Sequence, residues 1–253
     1  MAYIHPSSYA IEIRNSFRAL KQTIDLYRDA ITYLLTPVME HWDEVSAITG
    51  SNLRMNYIES IVHNTKFHKA LYDFDERFYK FPSYLRRAAI TAAIGAVSSY
   101  RTSYDSWVSN GSVGRPPSFS YDRHLCPALY RGVMFKWDKN RNAQIKVYEK
   151  NDWVWAELSL RKTDVSYFEK RTAVNNKTRV FSPVLEKKHG KYFLRFALTE
   201  EIELSDQPIY ERKVCAVDLG INTDAACSVI DVLFNMQNNK SYPERCVIPT
   251  DSL

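Results

Sequence analysis

The chain changes its period once, and that change narrows the folds open to it. Up to about residue 107 the apolar residues recur at helical spacing, and from residue 132 they alternate or cluster as in strands. Between the two lie Asn110-Gly111 and Gly114-Arg115-Pro116-Pro117, a stiff, basic stretch of turn formers. Helices followed by strands, in blocks, read as α+β rather than as alternating α/β units. The break at residues 111–117 therefore marks an expected domain boundary.

In the helical half, a short strand comes first, because Tyr9, Ile11 and Ile13 alternate within residues 3–14. Ser16 is placed to cap a helix whose stripe is Phe17, Leu20, Ile24, Tyr27, Ile31 and Leu34. Pro37 stops or kinks that helix, with residues 38–48 continuing at an angle. Gly50-Ser51-Asn52 is a break, and a second helix is expected over residues 53–71, with His63, Lys66, His68 and Lys69 at its basic end. His41, His63 and His68 contain no i, i+4 pair, so they read as a solvated face and not as a metal site. Phe81-Pro82-Ser83 opens the most regular helix, residues 84–107, whose run of alanines lets another element pack close. Arg86, Arg87 and Arg101 fall roughly on one side of it, near Tyr100 and Tyr104. Such a face suits phosphates and stacked bases, and it suits plain solvent equally well.

Beyond the break, residues 132–137, 143–149 and 153–161 read as strands, with Asn151-Asp152 as a hairpin tip. Residues 163–177 are charged and irregular, as in an insertion. Residues 179–186 and 192–199 pair across Lys187-Lys188-His189-Gly190. The last pattern is two bounded apolar runs, residues 213–217 and 225–230, around a polar corner at Asn222-Thr223-Asp224. Asp218 ends the first run, with Gly220 close behind. A carboxylate fixed by a strand and followed by glycine is a good seat for a metal ion, and Asp is also an ordinary opener of turns.

Composition adds the compartment and the partner class. A chain of 253 residues, 45% hydrophobic, can bury one or two cores. The formal charge of +5 and a pI near 8.9 lean toward a polyanionic partner. Cys126, Cys215, Cys227 and Cys246 form no CxxC pair, which argues against zinc and against a disulfide framework. Reduced thiols, no charged-then-apolar leader and no apolar run of membrane-spanning length give a soluble, cytoplasmic protein as the expectation.

Four motifs, in this order, resemble those of the TnpB family, transposon-encoded RNA-guided DNA endonucleases related to type V CRISPR effectors. Phe81-Pro82-Ser83-Tyr84-Leu85-Arg86 is similar to the start of that family's recognition helix. Gly114-Arg115-Pro116-Pro117-Ser118-Phe119 is similar to the loop leading into its wedge-like β-barrel, and Gly190-Lys191-Tyr192-Phe193-Leu194 to the strand before its nuclease domain. Val217-Asp218-Leu219-Gly220 resembles the first motif of the nuclease itself. The likeness spans roughly residues 80–230.

The resemblance implies residues 1–15 as a strand of the β module and 16–110 as a helical recognition lobe. It implies 111–210 as an antiparallel, barrel-like β module and 211–253 as the first strands of an RNase H-like (RuvC) domain. Asp218 would be the catalytic carboxylate and a shared ligand of two Mg2+ ions. Arg86, Arg87, Arg101, Arg115, Lys187 and Lys188 would contact the phosphates of guide RNA and target DNA. Two departures bear on this. The family's other two carboxylates have no counterpart in Asp224, Asp231, Glu244 or Asp251, and its zinc-binding CxxC pairs are missing. The sequence therefore resembles the front part of such a protein, as a truncated copy, a relic or a fragment that binds nucleic acid without cutting. Asp218-Leu219-Gly220 is also similar to the first phosphate-binding turn of actin-like ATPases, but there the motif opens the chain, and here it comes late.

Overall fold

Apolar residues at every third or fourth position give α1, Arg18–Glu40, which buries Leu20, Ile24, Tyr27, Ile31 and Leu34 along one side. The computed structural model describes residues 2–122, 124–138, 141–174, 177–203, 213–218, 226–231 and 244–247. The helix is preceded by Phe17 in extended conformation with no side-chain cap, so Ser16 does not take the capping role expected of it. Pro37 sits inside α1 and does not end it. The chain turns at His41, and α2, Trp42–Ala47, follows at once.

The second long helix is shorter than its sequence pattern. α3, Ser51–Val62, stops nine residues before Leu71 because nearby side chains take up the next backbone N–H groups. Asn64 N–H donates to Asp75 (2.7 Å), Ala70 N–H to the Asn64 side chain (2.9 Å) and His68 N–H to Thr65 Oγ1 (3.1 Å). Local partners of this kind compete with helical carbonyls. A single turn, α4, Phe74–Arg77, leads to α5, Ser83–Ser109, which starts directly after Pro82. Ala89 and Ala93 of α5 are fully buried, and their small side chains let α1 lie close alongside.

Two antiparallel hairpins build the β layer. β2, Phe135–Trp137, β3, Asn142–Glu149, and β4, Asp152–Ser159, form one sheet in that order. Its tight turn is Lys150-Asn151, at φ 49° and 61°, one residue earlier than expected, because Asp152 pairs with Glu149. The stretch read as an irregular insertion is a helix, α6, Lys162–Val174, which buries Val165 and Phe168. β5, Arg179–Val180, β6, Val184–Lys188, and β7, Lys191–Glu203, follow, and β6 turns into β7 through His189-Gly190 at φ 47° and 77°. The N-terminal strand β1, Ala2–Ile13, pairs with β7 as well, which makes β7 the hub of a four-stranded sheet. The two sheets meet through an isolated bridge, Ile13 with Leu160, and through the Asn15 amide, which bonds Glu157 O and Ser159 N–H. The described strands stay in separate sheets and do not close into a barrel.

Helices and strands, expected as two lobes joined through residues 111–117, share one core within the compact unit His5–Glu200. Each layer has a single apolar face, and each covers the other: α1 packs on β3, whose Ala143, Ile145 and Val147 are buried. Thr23 Oγ1, inside this interface, donates to Ala19 O (2.8 Å) and accepts the Tyr148 N–H (2.8 Å). Phe81 meets Trp153 edge-on at 5.8 Å, and Tyr84 lies 4.7 Å from Tyr130.

Met1–Ile4 and Glu201–Leu253 make up a second unit. It contains a separate antiparallel sheet of β8, Lys213–Asp218, β9, Ala226–Asp231, and β10, Glu244–Val247, ordered β8-β9-β10. The expected hairpin is there, with Lys213 opposite Asp231 and Asp218 opposite Ala226. Leu219, Gly220 and the corner Asn222-Thr223-Asp224 lie outside the described residues. Among the described residues no helix is long and apolar enough to cross a membrane.

Candidate nucleic-acid interface

The start of α5 carries two consecutive arginines whose fates differ. Successive helical residues point about 100° apart, so one of the pair must turn toward α3 when the other faces out. Arg86 turns in. Its side chain is 6% exposed, and its guanidinium lies 3.0 Å from Glu59 Oε1 and 3.8 Å from Asp75 Oδ1. Arg87 is half exposed and donates to the second Glu59 oxygen at 2.9 Å. Arg86, expected to meet phosphate, is thus largely buried and paired with two carboxylates, although it still lines the groove beside α5. Arg87 keeps one edge of its guanidinium toward an open groove of about 660 Å3 that also takes in His63, His68, Ser83 and Tyr84.

Two of the three histidines, His63 and His68, line that groove. His63 Nδ1 is 2.8 Å from Asp75 Oδ2, and His41 lies 3.4 Å from the Tyr57 hydroxyl. Among the described residues no group of three or more His, Cys, Asp or Glu is placed to hold a metal.

Further along α5, Arg101 is half-buried and its Nε is shut off from solvent without a hydrogen-bond partner. Tyr100 and Tyr104, the stacking candidates beside it, are engaged with protein. Tyr100 meets Phe119 edge-on at 5.4 Å, and Tyr104 lies 5.6 Å from Trp107. This end of the helix therefore carries an aromatic row, half-buried, with Phe119 packed on Tyr100.

The remaining basic candidates are exposed. Arg115 sits in the loop held by Gly114, whose φ of 81° suits glycine. Lys187 and Lys188 stand at the β6–β7 tip, where register sets Lys188 opposite Lys191 and Lys187 opposite Tyr192. Lys187 Nζ is 5.4 Å from the Tyr192 ring, and Lys191 Nζ is 3.3 Å from Glu12 Oε1. Glu12 is 6% exposed and also receives Arg14 and Arg161 at 3.4 and 3.2 Å. Burial opposes its ionisation, but the Lys191 hydrogen bond and the three cations outweigh it and hold the carboxyl below its ordinary value.

Asp218 is the last residue of β8 and pairs with Ala226. The structure brings Arg86 and Arg87 together on Glu59, and it brings Lys187 and Lys188 together at one tip. It does not gather the six basic candidates into one patch.

One cluster escaped the sequence reading. On β2–β4, Lys136 Nζ lies 4.3 Å from the Trp155 ring centroid and Lys146 Nζ 5.6 Å from it. The signal was the strand alternation itself, since Lys146 and Trp155 fall on the positions between the apolar ones.

Residues 7–149 match the Aq_aa04 family, so the chain belongs to that family. The matched stretch begins in β1 and ends with β3, running through every helix from α1 to α5 and across the 111–117 loop. No curated protein matches the sequence.

Proposed function

We propose that this chain is a TnpB-like, transposon-associated protein that binds RNA and DNA. The observation that carries the reading is the position of Asp218, at the end of the first strand of an antiparallel run, β8-β9-β10. That is where the resemblance puts the first carboxylate of an RNase H-like domain. The pairing of β1 with β7 supports it, because the N-terminal strand then belongs to the β module that follows the helices. Exposed Arg115, Lys187 and Lys188, with the outer edge of Arg87, supply phosphate contacts. Lysine and arginine contacts of this kind position a nucleic acid without reading its sequence.

Asp218 alone does not fit a two-metal Mg2+ site. Hard cations take about six oxygen ligands, and two ions need several carboxylates between them. The activity proposed for these 253 residues is binding without cleavage. The purified chain and Asp218→Ala would be incubated with Mg2+, DNA and structured RNA, and both binding and cutting scored. Equal binding by both and no cutting is expected, with affinity falling steeply as salt rises. Cleavage abolished by Asp218→Ala would overturn the non-catalytic reading, and no binding at low salt would overturn the nucleic-acid reading.

A further inference from the structure

The outward face of β2–β4 holds an arrangement that phosphate contacts do not use. Register sets Lys146 opposite Trp155, Tyr148 opposite Trp153 and Gln144 opposite Glu157, while the residues between them, Ala143, Ile145 and Val147, are buried. Side chains alternate along strands, so the first set shares the outer face. Trp155 is 37% exposed, although indole is among the costliest side chains to leave in water. Its neighbours are two ammonium groups, Lys136 and Lys146. The strands fix its backbone and the cations restrain its ring, so little freedom is left to lose on binding. A shallow depression of about 300 Å3 adjoins it, whose lining includes Lys136, Asp138, Asn142, Gln144 and Glu157.

We propose that Trp155, flanked by Lys136 and Lys146, is a stacking platform for a base of single-stranded nucleic acid. This rests on the nucleic-acid reading above and gives it a location. Lys136 Nζ sits over the ring, so a base that stacks there displaces that ammonium, which then meets an adjacent phosphate. Gln144 and Glu157, 3.4 Å apart at Nε2 and Oε1, offer amide and carboxylate groups to a base edge. Lys136 and Lys146 at the ring attract phosphate, and Glu157 and Asp138 in the depression offset part of that charge.

The test measures binding of homopyrimidine RNA and DNA strands and of a duplex to the full chain by fluorescence anisotropy. The variants are Trp155→Ala, Trp155→Phe and the double substitution Lys136→Ala/Lys146→Ala, each checked for wild-type melting. Trp155→Ala is expected to weaken single-strand binding about 5- to 150-fold. Trp155→Phe should recover most of that, duplex binding should hold, and the lysine pair should flatten the salt dependence. The loss should appear on RNA and DNA alike, since the ring meets the base and not the sugar. Unchanged single-strand affinity in Trp155→Ala, equal loss on duplex, or loss on only one sugar would overturn the platform while leaving the nucleic-acid reading standing. Failure of the unsubstituted chain to bind any strand would overturn both.

Discussion

Removing the Glu59 carboxylate should destabilise the helical layer more than any surface charge could. Its partner Arg86 is 6% exposed and Glu59 itself 13%, with guanidinium–carboxylate distances of 3.0 Å to Arg86 and 2.9 Å to Arg87. At an effective dielectric of about 20, unit charges about 4 Å apart attract by roughly 4 kcal/mol. Much of that only offsets desolvation, so the pair adds little net stability. Breaking it is another matter. Glu59→Ala strands a buried guanidinium whose remaining acid, Asp75, is 3.8 Å away and already shared with His63. Orphaning one member of such a pair costs roughly 3–5 kcal/mol. For a unit of this size each kcal/mol lowers Tm by about 2–4 °C, so the drop should be on the order of 6–20 °C. The assay is thermal and urea unfolding followed by far-ultraviolet circular dichroism. All described helices lie within His5–Glu200, so the helical signal reports that unit. The double variant Glu59→Leu/Arg86→Met should return to within about 1–2 kcal/mol of the unsubstituted chain, because an apolar pair of similar volume carries no desolvation cost. A loss under about 1 kcal/mol in Glu59→Ala would refute the reasoning, since that is the scale of a solvated pair.

Three further outcomes can be checked in the same apparatus. Gly190→Ala should destabilise by roughly 1–2 kcal/mol, because φ there is 77°, whereas Gly95→Ala inside α5 should stabilise by about 0.5–1 kcal/mol, since an added Cβ meets nothing within 4 Å. Glu12→Gln should be less stable than the unsubstituted chain at neutral pH, and the gap should close in acid. Its carboxyl is held below the ordinary 4.5, so its contribution is whole above that value and is lost as pH falls through the lower folded one; a gap in Tm that widens between pH 5 and pH 3 would contradict this.

What the sequence made legible was whatever repeats locally. The stripe of α1, the alanines of α5, the β3–β4 hairpin and the β8–β9 pair were all readable from period and turn residues. α6 was missed because only Val165 and Phe168 among its described residues are buried, too few to stand out from its charges. The early end of α3 depends on Asp75, which takes the Asn64 N–H from eleven residues away. The pairing of Arg86 was hidden for the same reason. Helical spacing put Arg86 on a plausible face, and nothing local showed Glu59 waiting 27 residues upstream. The union of helices and strands likewise rests on contacts such as Thr23 with Tyr148, 125 residues apart.

The pairing of β1 with β7 has a consequence in time. Arg195 of β7 reaches Ser8 of β1 across 187 residues of sequence. A ribosome adding roughly 5–20 residues per second needs about 10–40 s to make that much chain. Throughout that interval β1, with its alternating Tyr9, Ile11 and Ile13, has no strand to pair with, although the helices that follow it can already pack. An unpaired strand edge is a template for other chains. Pro6 removes one donor from that edge, and His5, Ser7 and Ser8 keep its middle polar. The nascent protein is thus most exposed to aggregation at β1, and it is relieved only when one of its later strands emerges.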